Sequence, residues 1–284
     1  QSGGGTDVMA RLVFKQISEQ TGKNFIMENR AGASGVIAAR EVAKSDPDGY
    51  TLLVNTVTHT VVATSFKNLN YNVENDFTNI AGMVSQPFVI ATGPRWKNIT
   101  ELTKYAKENP NKLSYGTPGV GTSGHLFMEK VTNATNMKML SIPYKGTSEA
   151  YVDLFTNRID MYPAPVSTVA MFAKDGKMNA LAVSSNKRNS AIPNVPSMAE
   201  IGLPEAEYLF WIGVFGPAKM EKSLVDRINL EIIKAMDSPE LRNKLINEFG
   251  AEPIRMSPTQ FDAYVKREIK HNAEIIKRSN IVME

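Results

Sequence analysis

Residues 115–129, YGTPGVGTSGHLFME, decide the reading of this chain. A strand-like run ending at 113–116 passes through four glycines and one proline into a segment whose apolar residues, Leu126, Phe127 and Val131, recur at helical spacing. The pattern is strand, Gly-rich loop, helix. The first-turn N–H groups of a helix have no partner within it and sit at the positive end of its dipole, so such a loop suits an anion. Gly121, Thr122, Ser123 and His125 are therefore candidate binding residues, the last three with side chains expected to add donors.

A second copy of this arrangement opens the chain. Gly3, Gly4, Gly5 and Thr6 run into a helix carrying Met9, Leu12, Val13 and Ile17, expected over 6–20 and closed by Gly22. Two anion-ready helix starts, far apart in sequence, suggest two lobes closing on one anionic ligand. Neither stretch is a nucleotide fingerprint: GVGTSG lacks the lysine of a P-loop, and the glycine spacing is not G-x-G-x-x-G. Loops of this kind normally leave a parallel strand, so the domain is expected to start about ten residues before Gln1, a typical strand and its lead-in. The absence of a signal peptide from the sequence then says nothing about localisation.

The 284 residues suffice for one or two domains. With 42% hydrophobic and 21% charged residues, the composition argues against disorder and against a membrane-embedded fold. A net charge of +3, with Lys and Arg dispersed and no basic stripe interleaved with aromatics, argues against a nucleic-acid partner. The chain has no cysteine, which removes disulfides, thiolate metal sites and cysteine nucleophiles. Its three histidines, His59, His125 and His271, are not at metal-ligand spacing, so no bound metal and no cofactor are expected.

Between the two loops, 25–28 reads as a short strand and 29–35 (NRAGASG) as another Gly-rich turn before a helix bearing Val36, Ile37, Ala39, Val42 and Ala43. Residues 50–55 (YTLLVN) read as a buried strand that discharges into TVTHT. Ligands in open α/β sheets bind beyond the carboxyl ends of strands, which places Thr56, Thr58 and His59 among the candidates. Two strands are expected at 77–82 and 87–92, then a surface helix at 99–108. After the central loop come strands at 139–144, 159–162 and 180–184, alternating with helices at 148–157, where Tyr151, Val152 and Phe155 should point inward, and 166–174. Such alternation argues for parallel sheets covered on both faces. The run 210–216 returns the chain, and helices at 221–236, 239–249 and from Pro258, with a short strand at 253–255, finish it. The expected domains are 1–92 with 217–284, and 93–216, joined by a two-strand hinge that permits closure.

The segments GGGTDVMAR (3–11), NRAGASGVIAAREVAKSDPDGYTLL (29–53), SYGTPGVGTSGHL (114–126), PYKG (143–146) and PSMAEIGLPEAEYLFWIGVFGPA (196–218) closely resemble the Bug, or TctC-like, solute-binding proteins of tripartite tricarboxylate transporters. The resemblance covers nearly the whole chain, with the motifs in order. It implies an α/β, type II periplasmic binding fold: a monomer of two α/β domains that clamps a small carboxylate in the cleft between them and delivers it to membrane transporter subunits. The family's pincer loops carry over to Ser2, Gly3, Gly4 and Thr6, and to Gly121, Thr122, Ser123 and His125, which hold a carboxylate through N–H groups, hydroxyls and ordered water. By position alone, Tyr144 and Trp211 are large aromatics at strand ends, where such residues either line a cleft or join the core.

Two departures qualify the ligand. Gln1-Ser2 replaces the family's Ala-Pro or Pro-Pro, and Pro163, Ala164 and Pro165 stand where many members carry an Asp after the strand. Without that Asp an ammonium group has no counter-charge there, which points to a mono-, di- or aromatic carboxylate rather than an amino acid, with Pro163 and Ala164 at the site. Two other functions compete: a sensor presenting its loaded form to a membrane kinase, and an α/β enzyme using His59 or His125 as a base. The enzyme reading finds no G-x-S-x-G elbow, paired carboxylates or cofactor fingerprint in the sequence.

Overall fold

The computed structural model describes residues 4–66, 68–144, 146–172 and 175–279. The chain divides into two compact units, Gln1–Ser85 with Trp211–Leu245 and Glu252–Glu284, and Gln86–Phe210 with Ile246–Ala251. Two long strands, β2 (Phe77–Thr92) and β7 (Leu209–Pro217), run through the points of division. The runs at 77–82 and 87–92 are thus parts of one strand. Gly82 and Pro87 read as breaks in sequence, but the residues between them, Met83 to Gln86, continue the strand.

In the first unit α1 (Gly5–Thr21) ends at Gly22, whose left-handed backbone (φ 67°) lets its N–H reach Ser18 O at 2.9 Å. Arg11 Nε donates to Asp7 Oδ1 at 2.9 Å, an i,i+4 pair along α1. A short helix α2 (Val36–Ala43) precedes β1 (Leu53–Thr56), which pairs antiparallel with β7, and α3 (Thr58–Ser65) follows. Later, α8 (Lys222–Asp237) and α9 (Pro239–Asn243) pack on α1, β8 (Glu252–Pro253) pairs with Val84 and Ser85 of β2, and α10 (Pro258–Ser279) packs on α3. Trp211, Phe215 and Phe261 form the aromatic centre, with the Trp211 and Phe261 rings 5.8 Å apart, edge to face.

The second unit contains α4 (Ile99–Glu108), β3 (Ser114–Thr117), α5 (Ser123–Thr135), β4 (Leu140–Pro143), α6 (Thr147–Phe155), β5 (Tyr162–Pro165), α7 (Val166–Phe172) and β6 (Asn179–Val183). Its core gathers Val89, Ala91, Tyr151, Leu154, Tyr162, Ala164, Val169 and Val183. Asp160 ties three segments together. Its carboxylate accepts from Trp96 Nε1 and from Ser114 N, both at 2.9 Å, and lies 3.5 Å from Arg95 Nη1. Asp160→Ala leaves an indole and a backbone donor unpaired and is expected to cost about 2 kcal/mol in a urea titration; an unchanged midpoint would remove Asp160 from the list of structural ties.

Three further sequence expectations change. The stretch 25–28 forms no strand: Ile26 is 89% exposed, and among the described residues no neighbouring strand supplies a ladder for it. The sheets are not uniformly parallel. β3 pairs parallel with β4, but β2 pairs antiparallel with β5, β6 and β8. Helix–strand alternation fixes that helices cover a sheet, not the sense in which strands distant in sequence meet. Val152 faces outward at 57% exposure, and Ala150 and Leu154 take the buried stripe of α6 with Tyr151.

Candidate functional site

In the second unit, β3 delivers the chain to the loop before α5. Gly119 and Gly121 have φ of 130° and 68°, conformations a side chain would resist, and they turn the backbone sharply into the helix. Thr122 is the N-cap: its Oγ1 accepts from His125 N at 3.3 Å and donates to Gly119 O at 2.8 Å. His125 Nδ1 accepts from Gly121 N at 3.1 Å. The Thr122 hydroxyl and the Nδ1 face of the His125 ring are therefore engaged in shaping the loop, where the sequence suggested outward donors. Short polar side chains in a tight turn bond their own backbone first.

Burial lowers the His125 pKa, with Glu129 opposing the shift, so the ring is neutral at pH 7. With Nδ1 accepting, the proton sits on Nε2, which lies 3.8 Å from Glu129 Oε1, too far for a hydrogen bond; that carboxylate accepts from the Tyr115 hydroxyl. Tyr115, Glu129 and His125 form a chain of support behind the loop. Thr122, Ser123 and His125 are all buried.

The same unit brings Pro163 to this helix start: a Cβ placed on Gly124 would lie 3.1 Å from both Pro118 Cδ and Pro163 Cγ. The absence of a side chain at Gly124 lets β5 and the loop approach each other. Ala164 is fully buried opposite Val89, in the core rather than on the α5 side. Tyr144 sits over Gly116 of β3, and its hydroxyl donates to Asp153 Oδ2 at 2.9 Å; burial and that carboxylate push its pKa up to about 12. Its polar end is thus committed within the unit.

In the first unit Gly4 is the N-cap of α1 (φ −74°, ψ 162°), its carbonyl accepting from Val8 N at 3.0 Å, and Thr6 is half-buried. Ser2 and Gly3 lie outside the described residues. Thr56 Oγ1 accepts from Thr58 N at 3.2 Å and Thr56 N donates to Asn55 Oδ1 at 2.8 Å, so both threonines help form the β1–α3 turn. His59 belongs to the core. It is fully buried between the rings of Phe77 and Phe215, 4.7 and 4.6 Å away, and burial pushes its pKa down to about 3. A position after a strand end suggested a site residue; on α3 the ring turns inward.

One feature escaped the sequence reading. Ala33 and Ser34, with φ of 44° and 55°, hold left-handed backbone beside Gly32 and Gly35 before α2. Two small residues between glycines, in Gly32-Ala33-Ser34-Gly35, are its only sequence signal, and non-glycine strain of this kind gathers at binding loops.

Among the described residues no group of three or more His, Asp or Glu side chains is placed to hold a metal ion, and no helix is long and apolar enough to cross a membrane. The sequence profile of the tripartite tricarboxylate transporter family receptor, TctC, matches residues 9–281. The chain belongs to this receptor family. Like its solved neighbours, this TctC receptor has a mixed α/β fold of two units. Rpa4515 of R. palustris, solved with adipate, is 30% identical with a TM-score of 0.94, over 99% of this chain and 95% of that one. The periplasmic binding protein BugD is 29% identical with a TM-score of 0.93, over 100% and 96%. MatC (Rpa3494) from Rhodopseudomonas palustris, solved with malate, is 26% identical with a TM-score of 0.90, over 97% and 96%.

Proposed function

We propose that this TctC receptor is a periplasmic, monomeric solute-binding protein that captures a small mono-, di- or aromatic carboxylate and hands it to the membrane subunits of a tripartite tricarboxylate-type transporter, without catalysis. The observation that carries the proposal is the start of α5. A helix of 13 residues begins at a loop whose own side chains, Thr122 and His125, fix its backbone, and a fixed helix start offers donors to an anion without reorganisation. The α1 start at Gly4 and Thr6 offers the same chemistry in the other unit. The adipate and malate bound by Rpa4515 and MatC support a carboxylate as the class of ligand.

A thermal-shift screen of protein stripped of ligand by unfolding and refolding tests this. The panel is C4–C6 dicarboxylates, aromatic acids, nicotinate and acidic amino acids. A ligand at about 100 times its dissociation constant is expected to add roughly 2.7 kcal/mol, a rise of several degrees. Folded, monodisperse protein that shifts with none of these acids would defeat the reading.

A further inference from the structure

The loop before α5 is held by two side-chain contacts of different kinds. Thr122 Oγ1 donates to Gly119 O at 2.8 Å, a bond with no titrating group in it, but the bond from Gly121 N to His125 Nδ1, 3.1 Å long, depends on the charge of the ring. A neutral imidazole offers one lone pair, and here Gly121 occupies it while Nε2 carries the proton. Nδ1 is therefore the only place a second proton can go. Protonation and the Gly121 bond exclude each other, because two N–H groups would then point at one another in a buried site.

The groups around the ring decide where an imidazolium would turn. Glu129, one turn on in α5, has Oε1 3.8 Å from Nε2 and favours the charged ring, while burial opposes it more strongly. From β3, Tyr115 faces the ring at 6.4 Å between centroids, with its hydroxyl donated to Glu129. Lys130 reaches instead to Glu207 O at 2.6 Å, Glu205 of the 204–206 turn packed on α5 is exposed, and Pro118 and Pro163 bring no charge to Gly124. A charged ring thus has Glu129 as its counter-charge, on its Nε2 side and not on the side of Gly121.

We propose that His125 is the positioning residue of the anion-binding loop and makes ligand capture depend on pH: the neutral ring fixes Gly121, and the imidazolium gives up that bond, turns to Glu129 and loosens the loop's hold on the acid. This rests on the carboxylate-binding reading above. Binding then favours the neutral ring, so affinity is complete above the pH at which His125 of the free protein titrates and falls by up to about tenfold per pH unit below it. Plain attraction between a new positive charge and an anion acts in the opposite direction, so the sign of the pH dependence separates the two.

The test is calorimetric titration, from pH 7.5 to pH 5, of the acids of the thermal-shift panel, adipate and malate among them, into wild-type protein, His125→Asn, His125→Leu and His271→Gln. Asparagine places an acceptor oxygen where Nδ1 stands and takes up no proton, so the ratio of wild-type to His125→Asn dissociation constants should rise by about threefold or more as pH falls; titration of the acid itself cancels in that ratio. His125→Leu offers no acceptor and should bind roughly tenfold more weakly than His125→Asn at pH 7.5. His271, exposed on α10, is the control, and its replacement should leave the wild-type profile unchanged. Ligand-free wild-type protein gives a reading that needs no substitution: the nitrogen–nitrogen coupling across the Gly121 N–H to Nδ1 bond, measured by NMR of isotope-labelled protein, should be present at pH 7.5 and vanish as the His125 ring titrates. A ratio that stays level or falls, a ring that remains neutral down to pH 5, or a coupling that is absent at pH 7.5 or survives protonation would overturn the positioning role alone. Wild-type protein that binds no acid of the panel at pH 7.5 would overturn the carboxylate reading and this inference with it.

Discussion

Between pH 7 and pH 4 the protein is expected to lose about 3 kcal/mol of stability through one side chain, His59. In the unfolded chain this histidine takes up a proton near the ordinary value of about 6.5. In the fold, burial between Phe77 and Phe215 lowers that to about 3. Between these values the unfolded state binds more protons than the native one, so stability is complete above the upper value and falls with pH through the window. The physical cause is simple. An imidazolium there would sit in an apolar cage, with Asn55 Nδ2, itself a donor, 3.5 Å from Nδ1 and Nε2 without a partner among the described residues. Urea titrations at several pH values check this. His59→Leu, similar in size and without a titrating group, should show a pH dependence shallower by about 3 kcal/mol over the same range. Parallel curves for the two proteins would mean that His59 reaches water in the native state.

The second large effect is expected at Gly93, where β2 leaves the sheet. A Cβ there would lie 2.1 Å from Leu154 O and 2.7 Å from Asn157 Oδ1, and the first of these is backbone at the end of α6 that no rotamer change can move. The turn is also tightly bonded: Asn179 Nδ2 donates to Gly93 O at 3.2 Å and to Trp96 O at 3.0 Å, and Thr92 Oγ1 donates to Trp96 O at 2.7 Å. Making room for one methyl requires the strand exit and α6 to part, which strains these bonds and opens the packing around Leu154. Gly93→Ala should cost about 3 kcal/mol, the upper end of ordinary overpacking, and lower Tm by roughly 6 to 12 °C. A variant melting within a degree or two of wild type would show that α6 yields freely.

Both effects arise from contacts between residues far apart in the chain, and that is where sequence reading stops. The amphipathic spacing of 258–279 is enough to announce a helix, because its apolar residues Phe261, Val265, Ile269 and Ile276 must lie on one face whatever they pack against. Gly22 ends α1 for an equally local reason, since few other residues adopt φ of 67° without strain. The loop at 119–123 and the helix after it were legible in the same way, through the glycines and the helical spacing of Leu126, Phe127 and Val131. Local rules also show how the Thr122 and His125 side chains are used only once the turn is built, because their partners, Gly119 O and Gly121 N, are set by backbone angles rather than by spacing.

Sequence by itself therefore determined the α/β class, the helices, and the Gly-rich helix starts around which the candidate site is organised, because each depends on residues within about one or two turns of each other. Tertiary structure alone decided that 25–28 is no strand, that β2 is one strand from Phe77 to Thr92, that His59 is core, and that Asp160 meets Ser114. Each of these is settled by a partner distant in sequence: a ladder supplied or withheld, a ring closing over an imidazole, a backbone N–H reaching a carboxylate. The free energy of such contacts belongs to pairs of residues, and periodicity along one chain carries no record of the pair.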